Sequence, residues 1–214
     1  MTDGILLIDK PSDMTSFGVV ARVRRVLSQQ QGKKVKVGHT GTLDPFATGL
    51  MIIVVGKECK NAGMYSKLDK VYEATIQLGH TSTTGDPEGE LTVVSDREPT
   101  QTEIEKILPK FVGTITQRPP IYSAIKINGE RAYKLARAGK VVEVPERQVV
   151  VHSIELIDYA YPELRIRAHV GSGTYIRTLA QDIGESLGTG AYTTQLRRTR
   201  IAQWSIEQAT SIPT

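Results

Sequence analysis

Six consecutive apolar residues, Leu50-Met51-Ile52-Ile53-Val54-Val55, lie between Gly49 and Gly56 and constrain this chain more than any other stretch. A run this short, rich in branched side chains and stopped by glycine, reads as a buried strand. The segment before it, from Lys36 to Gly49, holds Gly38, Gly41, His39, Pro45 and a single carboxylate, Asp44. It is therefore a tight loop that empties into a core strand, and loops set on rigid strands are where chemistry is usually placed. Asp44 precedes Pro45, which keeps its backbone out of the α region. A carboxylate on a fixed backbone between glycines is a candidate for catalysis. Asp-Pro is also ordinary turn chemistry, and on local physics alone the turn reading outweighs the catalytic one.

Composition removes several classes. The chain has 214 residues, enough for a real core, with 39% hydrophobic residues. Its longest apolar runs are about six residues, against roughly 18 for a membrane helix. The opening Met1-Thr2-Asp3-Gly4 has no basic segment before an apolar one, so no secretory signal is expected and a cytoplasmic location is. A lone Cys59 excludes an internal disulfide and reads as structural. His39, His80, His152 and His169 show no metal-ligand spacing, so no metal is expected. The net charge is only +4, but its distribution is uneven. Arg22, Arg24 and Arg25, Lys33, Lys34 and Lys36, Arg131, Lys134 and Arg137, and Arg197, Arg198 and Arg200 form basic clusters. Any one of these could be a solvated face. Several of them beside candidate loops favour an anionic ligand.

The elements read in order as follows. Gly4 to Pro11 is an apolar strand stopped by proline. Thr15 or Ser16 caps a helix to about Gln31, with Val19, Val20, Val23, Val26 and Leu27 as its stripe. Residues 57–69 form a helical link, 70–79 a strand and 81–89 a polar loop. Thr100 and Glu103 make a capping box for a short helix. Residues 121–147 look like a basic excursion, with a strand over Tyr122–Ile127, a turn at Asn128-Gly129 and a helix over 130–138 stopped by Gly139. Its Lys126, Arg131, Lys134, Arg137 and Lys140 suit a phosphate backbone. Strands follow at 148–158 and 163–170. Thr174 caps a helix with the stripe Ile176, Leu179, Ala180, Ile183 and Leu187, and a strand-like 193–204 closes the chain. Strands and helices mix without a βαβ period. The fold class is α+β, a mixed and largely antiparallel central sheet flanked by helices and loops, in one domain over 1–214.

Known motifs narrow the chemistry by their absence. There is no G-x-x-x-x-G-K-[ST], no complete dinucleotide fingerprint and no G-x-S-x-G. A carboxylate nucleophile or base is left, with basic and aromatic residues to hold a polyanion. Arg177 stands at a helix N-terminus after Gly171-Ser172-Gly173, where it could pair with Asp44 and keep it ionised. Tyr72, at a strand start, could stack on a base. Core packing for Tyr72 and a surface charge for Arg177 are the plainer readings, and pattern alone excludes neither.

These residues resemble a known family. Leu7–Pro11, Gly38–Gly49, Lys70-Val71-Tyr72, Gly85-Asp86, Pro119–Lys126, Gly173–Arg177 and Leu196-Arg197-Arg198 match, in order and spacing, the TruB family of bacterial tRNA pseudouridine-55 synthases. The resemblance covers essentially the whole chain. It implies the pseudouridine synthase fold and isomerisation of a uridine in the TΨC loop of tRNA, with no cofactor and no metal. Asp44 matches the catalytic aspartate, thought to attack ribose C1′ or to assist glycosidic cleavage. Tyr72 matches the tyrosine that stacks on the target uracil, and Arg177 the arginine paired with the catalytic carboxylate. His39 matches the residue that helps hold the nucleotides flipped out of the loop, Tyr175 and Leu196 match nucleotide-contacting positions, and Lys10 a supporting lysine. Residues 121–147 resemble an RNA-gripping thumb, and Arg197 and Arg198 are further candidates for the RNA backbone. Flipping a base out costs a few kcal/mol, and stacking on an aromatic returns about 1–3 kcal/mol. The expected partner is the T-arm of tRNA, bound by a monomer without guide RNA or membrane. A C-terminal domain of the PUA type, usual in bacterial members, is missing from the sequence. The alternatives are the catalytic subunit of an RNA-guided complex and a tRNA-folding chaperone without turnover.

Overall fold

The computed structural model describes residues 3–213 apart from Ala124, Asn128 and residues 139–142; the side chains of Lys126, Tyr133 and Arg137 also lie outside the described part. The expected turn at Asn128, the helix stop at Gly139 and the charge of Lys140 fall there as well. The strands are β1 Gly4–Lys10, β2 Val37–His39, β3 Thr48–Val55, β4 Lys70–Leu78, β5 His80–Ser82, β6 Leu91–Val93, β7 Gly113–Gln117, β8 Lys126–Ile127, β9 Glu130–Arg131, β10 Arg147–Ala160, β11 Glu163–Val170, β12 Ala191–Ile201 and β13 Trp204–Ser205. The α-helices are α1 Ser16–Gln31, α2 Ala62–Ser66, α3 Gln101–Ile107, α4 Ala132–Arg137 and α5 Ile176–Ser186. Two compact units result. One comprises 1–72 and 196–214, the other 73–195, so β4 and β12 each contribute to both.

In the first unit β3 is the central strand, and all of it after Thr48 is buried. β1 pairs with it antiparallel from Gly4↔Val55 to Lys10↔Gly49. β2 pairs antiparallel with its last three residues, while β12 runs parallel to its start, with Arg197↔Thr48 and Arg198↔Gly49 as partners. Leu50, Ile52 and Val54 share one side of the pleat and pack with Ile201, Leu7, Tyr65 and Trp204. Burying such side chains is worth about 1.5–3 kcal/mol each, so this patch anchors the loop that precedes β3. Helix α1 forms as its pattern requires. Val19, Val20, Val23, Val26 and Leu27 are buried. The Thr15 hydroxyl accepts from the Gly18 N–H, and Gly32 closes the helix at φ 63°.

In the second unit the strand order is β12-β4-β11-β10-β7. β10 and β11 form a long antiparallel hairpin, and β7 pairs antiparallel with the start of β10 from Gln117↔Arg147 to Gly113↔Val151. Leu164, Ile166, Ala168 and Val170 of β11 are buried, as their alternation predicts. Helix α5 buries Ile176, Leu179, Ala180 and Ile183. The capping box at Thr100 and Glu103 is formed in both directions.

Two departures from the expected elements bear on the site. Tyr122–Ile127 is not a continuous strand: residues 121–123 bend, and among the described residues of the span Lys126–Ile127 pairs, with β9. The Tyr122 carbonyl accepts from a buried arginine instead of a neighbouring strand. Thr174 does not cap α5. Its hydroxyl donates back to the Gly171 carbonyl at 3.0 Å and closes the glycine turn, leaving Tyr175 at the N-cap with no side-chain cap bond.

Candidate active site

The loop carrying Asp44 is held by polar contacts from the junction between β1 and α1. Lys10 is fully buried, and its ammonium donates to the carbonyls of Pro11 at 2.8 Å, Met14 at 2.7 Å and Pro45 at 3.0 Å. The Asp13 N–H donates to the same Pro45 carbonyl at 2.9 Å. The Ser16 hydroxyl accepts from the Leu43 N–H at 2.8 Å and lies 2.9 Å from the Leu43 carbonyl, to which it donates. The Ser12 hydroxyl donates to Phe46, and Ala47 N–H turns back to the Asp44 carbonyl. Asp44, half-buried, thus sits in a backbone fixed on both sides, from Leu43 to Ala47. This pinning is the preorganisation that a reacting carboxylate needs. Lys10, read from the sequence as a supporting residue, acts here on the backbone of the loop.

Gly49 makes room for another strand. Its φ is 108°, and a Cβ there would lie 2.3 Å from the carbonyl oxygen and 2.7 Å from the nitrogen of Arg198. The missing side chain admits the backbone of β12.

Arg198 itself corrects the sequence reading. It is 1% exposed, so its guanidinium is not a contact for the RNA backbone. It donates to the Leu50 carbonyl at 2.7 Å and to the Gly41 carbonyl at 3.2 Å, and lies 6.0 Å from the centre of the Tyr72 ring. It braces the loop from below. Tyr72 is 9% exposed and Leu196 7%. Arg197 is half-exposed and paired with Asp9 through both nitrogens, at 2.8 and 3.2 Å. Lys70 at the start of β4 is pushed down to about 8 by burial and then by the charge of Arg198. Lys10, His39, Asp44, Tyr72, Leu196, Arg197 and Arg198 all belong to the first unit.

The second unit holds Tyr175 and Arg177. Arg177 is 2% exposed, which rules out the reading as a surface charge. One guanidinium nitrogen donates to Asp86 at 2.8 Å and to the Thr84 carbonyl at 2.7 Å, the other to the Tyr122 carbonyl at 2.9 Å. Asp86 is also buried and accepts from the Thr84 hydroxyl at 2.5 Å and the Glu88 N–H at 3.0 Å. A buried pair with this many satisfied bonds fixes geometry more than it adds stability. Sequence reading gave Asp86 no role. Its signal was an Asp-Pro step like that of Asp44-Pro45. Tyr175 is half-buried, with Arg147 centred 5.0 Å over its ring. On the excursion, Arg131 and Lys134 are exposed, as phosphate contacts require, while Lys126 and Arg137 lie among the side chains not described. His152 and His169, distant in sequence, stand side by side on β10 and β11 with ring centroids 4.6 Å apart. Burial and then the charge of Glu185 push Asp182 on α5 up to about 6.

Among solved structures, the fold resembles a chain of the crystal structure of a Cbf5-Nop10-Gar1 complex. The TM-score is 0.71 at 28% identity, over 94% of this chain and 50% of that one. The fold is that of the pseudouridine synthases. Residues 24–176 match the N-terminal domain model of TruB family pseudouridylate synthases, and residues 177–212 the C-terminal domain model of tRNA pseudouridylate synthase B. The chain belongs to the TruB family. It is 44% identical to tRNA pseudouridine synthase B of Phocaeicola vulgatus, over 97% of this chain and 89% of that protein. It is 42% identical to the protein of that name from Thermobifida fusca, over 99% and 74%. Among the described residues no helix is long and apolar enough to cross a membrane.

Proposed function

We propose that this protein isomerises uridine-55 in the TΨC loop of tRNA to pseudouridine, as a monomer without guide RNA. The observation that carries the reading is Asp44 on a loop pinned at Leu43 and Pro45 by Ser16, Lys10 and Asp13, in a chain of the TruB family.

The target nucleotide leaves its stack, which costs a few kcal/mol. An Asp44 carboxylate oxygen attacks ribose C1′, and the C1′–N1 bond breaks with its electron pair going to the uracil. The ring turns, C5 attacks C1′, and the Asp44 ester bond breaks to restore the carboxylate. The proton on C5 is then lost to solvent and N1 takes one up, so the step is an isomerisation in which atoms and electrons balance without an oxidant, metal or cofactor. Tyr72 stacks on the uracil. The roles of His39, Tyr175, Arg177 and Leu196 rest on their match to the family motifs. Arg131 and Lys134 supply phosphate contacts, which set affinity while loop shape sets selectivity.

The test is incubation of the pure protein with an unmodified tRNA transcript, followed by pseudouridine mapping. Product at one T-loop uridine without added RNA is expected. Asp44→Asn is expected to abolish product while leaving tRNA affinity within a few-fold. Turnover by that variant overturns the nucleophile assignment, and a requirement for a second RNA overturns the stand-alone reading.

A further inference from the structure

We infer that Gln117 is a positioning residue for the reaction, acting through Tyr175. The inference rests on the function proposed above and adds a residue that its motifs do not contain.

Gln117 ends β7 and is 1% exposed. Its side-chain amide meets the backbone of Tyr175 twice. Oε1 accepts from the Tyr175 N–H at 3.1 Å, and Nε2 donates to the Tyr175 carbonyl at 3.3 Å. A primary amide has an acceptor and donors in one plane, so it matches the N–H and carbonyl of a single residue as a neighbouring strand would. No other uncharged side chain except asparagine can do so, and asparagine is one methylene shorter. The cross-strand partner of Gln117 is Arg147, which is directed at the same turn. Its guanidinium donates to the Gly173 carbonyl and lies over the Tyr175 ring. One rung of the β7–β10 ladder therefore holds both the backbone and the ring of Tyr175.

Tyr175 is clamped from outside its own turn, because no side chain caps the start of α5. Tyr175 is the N-cap of α5 with no side-chain cap bond, and Thr174 is committed to Gly171. Apart from Gln117, the Tyr175 backbone accepts the helical bond from the Leu179 N–H at 3.0 Å. With Arg147 on one face of the ring, a flipped nucleotide stacks on the other. Rotating that backbone would misplace the stacking surface while leaving the strands and α5 intact.

The test is a double-mutant cycle on an unmodified tRNA transcript, with Gln117→Met, Tyr175→Ala and the pair. Methionine keeps the volume of glutamine and removes both bonds. In the wild-type background Gln117→Met is expected to lower kcat/KM roughly tenfold to a hundredfold. In the Tyr175→Ala background the further loss is expected to be below about threefold, because coupled residues are not additive. Equal losses in the two backgrounds mean that Gln117 does not act through Tyr175 and overturn the inference. Thermal midpoints are measured alongside. If Gln117→Met is unfolded at the assay temperature, the cycle is run with Gln117→Glu, which keeps the oxygen for the Tyr175 N–H. A wild-type protein that makes no pseudouridine overturns the proposed function and this inference together. An active wild type with additive losses overturns the inference alone.

Discussion

Replacing Gly49 with alanine tests whether the glycine beside the Asp44 loop serves the fold or the ligand. The atoms that an added methyl would meet are the carbonyl oxygen, nitrogen and carbonyl carbon of Arg198, at 2.3, 2.7 and 3.0 Å. All three are backbone, so none can swing aside as a side-chain tip would. The backbone angle, φ 108°, is itself strained for an L-residue. Strain of this kind costs about 1–3 kcal/mol, and forcing a methyl into a filled space costs about 1–3 kcal/mol more. The sum is about 2–6 kcal/mol, and at roughly 2–4 °C per kcal/mol for a chain of this size the midpoint should fall by about 10 °C. Gly63→Ala is the internal control. It is exposed on α2, a Cβ there meets nothing within 4 Å, and the change should be neutral or stabilise by up to about 1 kcal/mol. Thermal unfolding followed by circular dichroism on the three proteins decides the matter. A Gly49→Ala protein that melts within about 2 °C of wild type refutes the packing argument. If that protein is also inactive, the glycine is there for the substrate.

Three further outcomes are expected. Asp182→Asn should raise stability at pH 7–8 by about 1–2 kcal/mol, discounted for its partial exposure, and by nothing near pH 4. The folded-state carboxyl titrates near 6, above its unfolded value of 3.8, so stability is full below 3.8 and is lost as pH rises through 6; a gain independent of pH counts against this. Arg198→Lys should cost about 2–4 kcal/mol, because a point charge cannot serve the Leu50 and Gly41 carbonyls at once; an unchanged urea midpoint removes the brace from the account. Arg131→Gln should lower the slope of log affinity for tRNA against log salt by about 0.7–0.9, and an unchanged slope takes this residue off the RNA.

Much of the fold was legible because its signals are local. The β3 run, the α1 stripe with its Thr15 cap, and the Thr100–Glu103 box each need only a few neighbouring residues, and all three formed. Asp44 was legible as a constrained carboxylate, but only the family motif raised it above a turn. What the sequence hid was distant partnership. Nothing near Arg198 in the chain says that its guanidinium ends under Gly41 rather than in solvent. Nothing near Gln117 points to Tyr175, and β7 itself went unread because Gly113-Thr114-Ile115-Thr116-Gln117 has one apolar residue in five. Thr174 failed for the opposite reason. It had the right chemistry for a cap, and a closer carbonyl, that of Gly171, took its hydroxyl.

The parallel rung between β3 and β12 has a consequence for how the molecule is made. The brace on the Asp44 loop joins Leu50 to Arg198 across 148 positions of chain. At roughly 5–20 residues per second, a ribosome takes about 7–30 s to cover that interval. During that time β1, α1, β2 and β3 are all available to fold, and Lys10 and Ser16 can already hold the loop. The slot above Gly49 stays unfilled until the last strand arrives, and contacts this remote are slow to form. The Asp44 loop is thus among the first parts of the protein to be synthesised and among the last to be completed.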